Sequence, residues 1–144
     1  MEQNNYHSSI TAGITPDEAY VHIANVQGWW ARNFTGNASV TGDTFTVRFG
    51  DTYVDFEIRD AKPGQSVNWY VTGCHLPWLA DKTEWNGTTV NWVITPDAGG
   101  VRIDMTHIGL VPEVECFEAC QKGWDGHVTG SLYNLMTEGK GQPQ

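Results

Sequence analysis

An α+β fold, a curved antiparallel sheet wrapped around a long C-terminal helix with an internal cavity, is what this sequence predicts. Three observations predict it. From Asp43 to Ile108, apolar residues alternate with polar ones in five successive runs. After Pro112, a segment of helical periodicity runs to Gly139. Large aromatics, among them Phe45, Trp69, Trp92 and Trp124, fall on the apolar positions of both regions. Side chains on a strand alternate between two faces, so such runs read as a sheet with one dry and one wet side.

In chain order, Tyr6 to Ile14 reads as a strand with Ser8, Ile10 and Ala12 on one side. Thr15-Pro16-Asp17-Glu18 is a helix start: Thr15 caps, Pro16 suits the first turn, and Glu18 completes a capping box. Tyr20, Ile23, Val26 and Trp30 continue at near-helical spacing, and Gly28 marks a bend before Trp29-Trp30. The five strand runs are Phe45, Val47 and Phe49; Val54, Phe56 and Ile58; Val67, Trp69 and Val71; Val90, Trp92 and Ile94; and Val101, Ile103 and Met105. Turns fall at Gly50-Asp51, Lys62-Pro63-Gly64 and Asp97-Ala98-Gly99-Gly100, while Gly73 to Lys82 reads as a loop.

The final helix is expected near Pro112, with Glu113 and Glu115 facing the positive end of its dipole. Phe117, Trp124, Val128, Leu132 and Leu135 form its apolar stripe; Ala119, Gly123, Gly126 and Gly130 form another. Interior glycines cost a helix roughly 1 kcal/mol each relative to alanine. That row therefore signals either close approach of a neighbour or a locally loosened or kinked helix.

The chain of 144 residues fits one domain, residues 1–144. Eight basic residues against seventeen acidic ones give a net charge of −9 without any Lys/Arg cluster. This excludes nucleic acid and anionic membrane surfaces as expected partners. Residues 1–15 lack the pattern of an export signal, and no apolar run reaches the length of a membrane span. Three cysteines do not make a disulfide framework and fit a reducing compartment, so the expected location is cytoplasmic. No phosphate-binding loop, dinucleotide fingerprint or serine nucleophile motif occurs, and no cofactor is expected.

His107 shares strand parity with Met105, Ile103 and Val101, which aims an imidazole into an apolar interior. A ring so placed is either a hydrogen-bonded core group or the polar anchor of a ligand cavity. Glu84 has the parity of Val90, Trp92 and Ile94, but a hairpin centred on residues 96–100 sets His107 opposite Thr88 or Thr89. Glu84 then lies roughly 15 Å away at strand rise, unless a bulge at Asn86-Gly87 intervenes, so a catalytic pair is not expected. Cys116, Cys120, His127 and Ser131 share a helical stripe, but His127 lies about 10 Å along the axis from Cys120, too far for one tetrahedral metal site. Packing is the expected role of these cysteines. Trp29, Trp30 and Trp78 are candidates either for an entrance to the cavity or for closing the end of the core.

Several segments together resemble the family of homologues of the activator of the heat-shock protein 90 ATPase. They are Gly28-Trp29-Trp30, Gly42-Asp43-Thr44-Phe45, Thr83-Glu84-Trp85-Asn86-Gly87-Thr88, and Thr106-His107-Ile108-Gly109-Leu110-Val111-Pro112 followed by Cys116 and Gly123-Trp124. The family belongs to the SRPBCC superfamily of START, polyketide-cyclase and birch-pollen-allergen-like proteins. The resemblance implies a helix-grip fold around a hydrophobic cavity. One departure is Ile108, at a position where the family pattern often has an acidic residue.

The expected function is binding of a small hydrophobic or aromatic molecule between sheet and helix. Phe45, Val47, Phe56, Trp69, Trp92, Met105, Phe117 and Trp124 would supply the wall, and His107 the polar contact. The alternatives are an enzyme of cyclase, dehydratase or hydrolase type with His107 as base or proton donor, and a chaperone-associated interaction protein, to which the family name points.

Overall fold

The computed structural model describes residues 5–144. Residues 1–4 of the domain read from the sequence lie outside the described residues. Strand β1 (Tyr6–Ala12) leads into helix α1 (Pro16–Ala24) through the expected capping box: Glu18 N–H donates to Thr15 Oγ1 at 3.1 Å, and Thr15 N–H to Glu18 Oε1 at 3.0 Å. A second short helix, α2 (Val26–Trp29), comes after the break at Asn25. It drives Trp29 and Trp30 into the interior, 0% and 4% exposed.

The sheet has seven antiparallel strands in the order β1-β7-β6-β5-β4-β3-β2. After α2 come β2 (Asn33–Gly36), β3 (Thr44–Phe49), β4 (Thr52–Lys62), β5 (Ser66–His75), β6 (Thr89–Asp97) and β7 (Gly100–Ile108). The alternation puts Phe45, Val47, Val54, Phe56, Ile58, Val67, Trp69, Val71, Val90, Trp92, Ile103 and Met105 on the buried face. Strand β2 has no counterpart among the strands expected from the sequence, because a four-residue edge strand with only Phe34 half-buried carries no alternation to detect.

Gly73 to His75 continue β5 instead of starting a loop. Thr72 is an extra residue between the pairs Phe56↔Val71 and Asp55↔Gly73, and beyond this bulge the buried parity shifts from Val71 to Cys74. Arg59 is extra in the same way on β4, between Ile58↔Trp69 and Asp60↔Asn68. Bulges bend the strand that carries them and increase its twist. These two lie in the centre of the sheet, where it must curve around the helix.

That helix begins at Phe117, later than Pro112. Residues 111–117 make tighter turns first, with Val114 N–H donating to Val111 O and Phe117 N–H to Val114 O. Helix α3 (Phe117–Trp124), a π-helical stretch (Asp125–Leu132) and helix α4 (Tyr133–Glu138) then form a rod of 22 residues, ended by Gly139 in the left-handed conformation. Cys116, Cys120, Trp124, Val128, Leu132 and Met136 make up its buried stripe, whereas Phe117 is half-buried at its edge.

The glycine row is resolved by the same rod. A Cβ on Gly123, Gly126 or Gly130 would meet nothing within 4 Å, so no neighbour approaches closely there. The loosened helix is the correct reading: Gly126 and Gly130 lie inside the π-helical turns. Gly126→Ala and Gly130→Ala should therefore each raise stability, by about 0.5–1 kcal/mol in chemical denaturation. A loss of stability in both would indicate that the open space is occupied.

Candidate functional site

Strand β7 carries His107 to the interior opposite Val90, one or two residues from the register expected, because the β6–β7 turn closes tightly at Asp97↔Gly100. Its ring is fully buried and both nitrogens are taken. Trp124 Nε1–H donates to His107 Nδ1 at 3.0 Å, so that nitrogen carries no proton and Nε2 does. Nε2–H then donates to Thr88 Oγ1 at 2.9 Å, and the Thr88 hydroxyl donates to the Trp85 carbonyl at 2.7 Å. Trp85 also meets the imidazole edge to face at 4.6 Å. Burial pushes the His107 pKa down to about 3, which keeps the ring neutral. Of the two possibilities read from the sequence, the hydrogen-bonded core group describes this geometry.

Glu84 lies in the connection between β5 and β6, outside any strand, and does not face His107 as an inward strand residue would. Its carboxylate accepts from Glu115 N–H at 2.8 Å and from Cys116 N–H at 3.2 Å, satisfying donors just ahead of α3, whose own N-cap residue supplies no side-chain bond. Glu115 reciprocates by accepting from Ala80 N–H at 3.0 Å. Two carboxylates thus latch the 76–88 connection to the start of the rod.

Beside this latch opens a cleft of about 390 Å³. Trp30, Phe49, Trp85 and Trp124 supply aromatic wall, with Val54 and Leu76 from the sheet side and Ala119, Cys120 and Gly123 from the rod. Trp78, half exposed at 51%, forms a lip. Thr52, His127 and Gln144 are the polar wall residues. Residues 139–144 reach this place by turning back along α2: Gln144 N–H donates to Trp30 O and Arg32 N–H to Gln144 O, each at 2.9 Å, and Gln142 N–H donates to the buried Ser131 hydroxyl at 2.7 Å.

Trp30 separates cleft from core. Its indole contacts Trp124 at 4.9 Å on one side, while it stacks on Trp69 at 6.2 Å and tilts onto Phe56 at 5.7 Å on the other. Behind it, Trp29, Trp69, Trp92, Phe45 and Phe56 pack against one another and fill the grip. The aromatic-lined space therefore opens at one end of the sheet-helix sandwich. Of the nine residues assigned to ligand contact from the sequence, Trp124 lies on the cleft wall. Phe45, Val47, Phe56, Trp69, Trp92, Met105 and His107 are buried in the layer beneath, and Phe117 packs at the edge of the core. Of the entrance candidates, Trp29 is core, Trp30 is the partition and Trp78 is the lip.

Two wall features escaped the sequence reading. Trp85 comes after a bulge-shifted strand and a turn-rich connection, so no alternation assigns it a side. His127 was placed on a stripe with Cys116 and Cys120, but the helix widens to π geometry just before it. Its ring instead stands beside Trp30 (6.1 Å) and Trp124 (6.5 Å), and burial lowers its pKa to about 4. Cys116 Sγ accepts from Trp85 Nε1–H at 3.3 Å, and its hydrogen bond with Cys120, with burial, raises its pKa. Among the described residues, no three His, Cys, Asp or Glu side chains converge as metal ligands.

No family model matches the chain, and no curated protein matches it. Solved structures do. The Aha1 dimer from Colwellia psychrerythraea superposes with a TM-score of 0.79 at 21% identity, over 95% of this chain and 98% of that one. Protein MLL2253 from Mesorhizobium loti gives 0.73 at 14% identity, over 92% and 96%. DynU16, a putative protein of the dynemicin biosynthetic locus, gives 0.72 at 18% identity, over 97% of this chain and 49% of its own. The chain has the helix-grip-like fold of these proteins, an antiparallel sheet packed on a C-terminal helix, and the resemblance read from its motifs holds at the level of the fold. No helix among the described residues is long and apolar enough to cross a membrane.

The buried imidazole makes stability depend on pH. Unfolded, His107 has its ordinary pKa near 6.5; folded, it takes up no proton until about pH 3. Its contribution is therefore complete above pH 6.5 and falls as the pH drops toward 3, by up to about 1.4 kcal/mol per pH unit. His127, lowered to about 4, acts in the same direction over a narrower window. Urea denaturation at pH 7, 5.5 and 4.5 should show this decline, with the His107 ring signals in the NMR spectrum unchanged while the protein stays folded. A His107 ring titrating near pH 6.5 in the folded protein would contradict the assigned network.

Proposed function

We propose that this chain binds a small hydrophobic or aromatic molecule in the cleft between β3, β4, the 76–88 connection and α3. One observation carries the reading: Trp30, Phe49, Trp78, Trp85 and Trp124 line a space of about 390 Å³ that no side chain of the described residues fills. That volume falls within the usual range of small-molecule pockets, which are apolar with few polar groups. In this reading the ligand lies against Trp30 and Trp124. Phe45, Val47, Phe56, Trp69, Trp92, Met105 and His107 support it from behind as a rigid layer, and Phe117 braces the start of the rod.

The test is titration with the neutral fluorescent probe N-phenyl-1-naphthylamine. Its emission should rise saturably with the wild-type chain. Ala119→Trp, a change at an exposed helix position on the wall, should weaken binding at least about tenfold by filling the cleft. Equal binding by that variant would place the probe elsewhere and remove the proposal.

Association with a chaperone is the second reading, supported by the likeness to the Aha1 fold. Retention of the chain on immobilised heat-shock protein 90 is the expected result, and its absence at micromolar concentrations would discard this reading.

A further inference from the structure

Of the polar groups on the cleft wall, His127 has the chemistry to select a ligand. It projects from the π-helical stretch between Trp30 and Trp124, with ring centroids 6.1 and 6.5 Å away. Among the described residues, neither of its ring nitrogens has a hydrogen-bond partner, whereas both nitrogens of His107 do. His127 is half-buried and its ring nitrogens stay open to solvent; a guest that displaces water from the cleft leaves the ring unpaired unless it supplies the missing bond. We propose that the cleft takes a flat aromatic molecule bearing a hydroxyl group, a phenol or naphthol, whose O–H donates to the His127 imidazole while its ring packs among the tryptophans. This deepens the binding role proposed above and rests on it.

The wall argues against the other ligand classes. Thr52 and Gln144, the remaining polar residues, carry no charge, and burial keeps the His127 ring neutral near pH 7. Among the described residues, no Lys or Arg lines the cleft to hold a carboxylate, and the net charge of −9 repels anions at long range. No Asp or Glu among the described residues lines it to fix an ammonium group. A purely apolar guest would fit the indoles but leave the imidazole acceptor unpaired. A hydroxyl on an aromatic ring meets both demands, and the neutral imidazole, with one free lone pair, is the matching acceptor.

The experiment tracks the tryptophan indole N–H signals of ¹⁵N-labelled protein at pH 7 during titration with naphthalene, 2-naphthol, 2-methoxynaphthalene and 2-naphthoate. The expected result is that 2-naphthol binds several-fold, up to about tenfold, more tightly than naphthalene or the methyl ether, the range one hydrogen bond provides, with the carboxylate weakest. His127→Phe keeps an aromatic ring in the slot and should erase that preference; His127→Gln, which retains an acceptor, should restore part of it. The ether comparison needs no variant and decides the matter even if a substituted chain fails to fold. Equal binding of naphthol and its ether, tightest binding of the carboxylate, or an undiminished preference in His127→Phe would overturn the assignment while leaving aromatic binding standing. If none of the four compounds shifts any indole signal, the binding role falls and this inference with it.

Discussion

Within this fold, a neutral imidazole with both nitrogens occupied joins three parts that are far apart in the chain. His107 receives the indole N–H of Trp124 from the rod and donates to Thr88 at the end of the β5–β6 connection, whose hydroxyl passes the chain of bonds on to the Trp85 carbonyl. A buried polar network is worth having only when every member is satisfied, and here each is. The two tryptophans it orients, Trp85 and Trp124, are both wall residues of the cleft and stack at 6.0 Å with planes 9° apart. The polar bonds lie behind the apolar surface and fix its shape.

Around that network the interior is closed by rings. Trp29, Trp30, Trp69 and Trp92 touch one another or share neighbours, with Phe45 edge-on to Trp69 at 5.1 Å. Buried Trp69 and Trp92 leave their indole N–H groups without hydrogen-bond partners among the described residues. Such a core packs to high density with few rotamers, so the concave side of the sheet is filled and the aromatic cleft opens beyond it. Trp30 marks the boundary, with Trp69 and Phe56 on one side and Trp124 on the other.

Three departures from regular geometry place the cleft. The bulges at Thr72 and Arg59 bend β5 and β4, and the first turns Cys74 and Leu76 inward where simple alternation would not. The π-helical stretch rotates the residues after Trp124, which keeps Val128 and Leu132 in the core and sets His127 beside the cleft. The carboxylates of Glu84 and Glu115 hold the connection against the rod across this same end.

Local pattern determined the layers of this protein, because strand alternation and helix capping are properties of neighbours in sequence: the paired faces of β3 to β7, the capping box at Thr15, the stop at Gly139 and the inward aim of His107 were all legible in the residues. The short edge strand β2, the start of the rod at Phe117, the partners of Glu84 and the placement of His127 on the cleft wall were not. Each depends on a bulge, a widened helical turn or a hydrogen bond between segments distant in the chain. Such features shift parity by one residue or about a quarter turn, and only the folded arrangement shows which side a residue then faces.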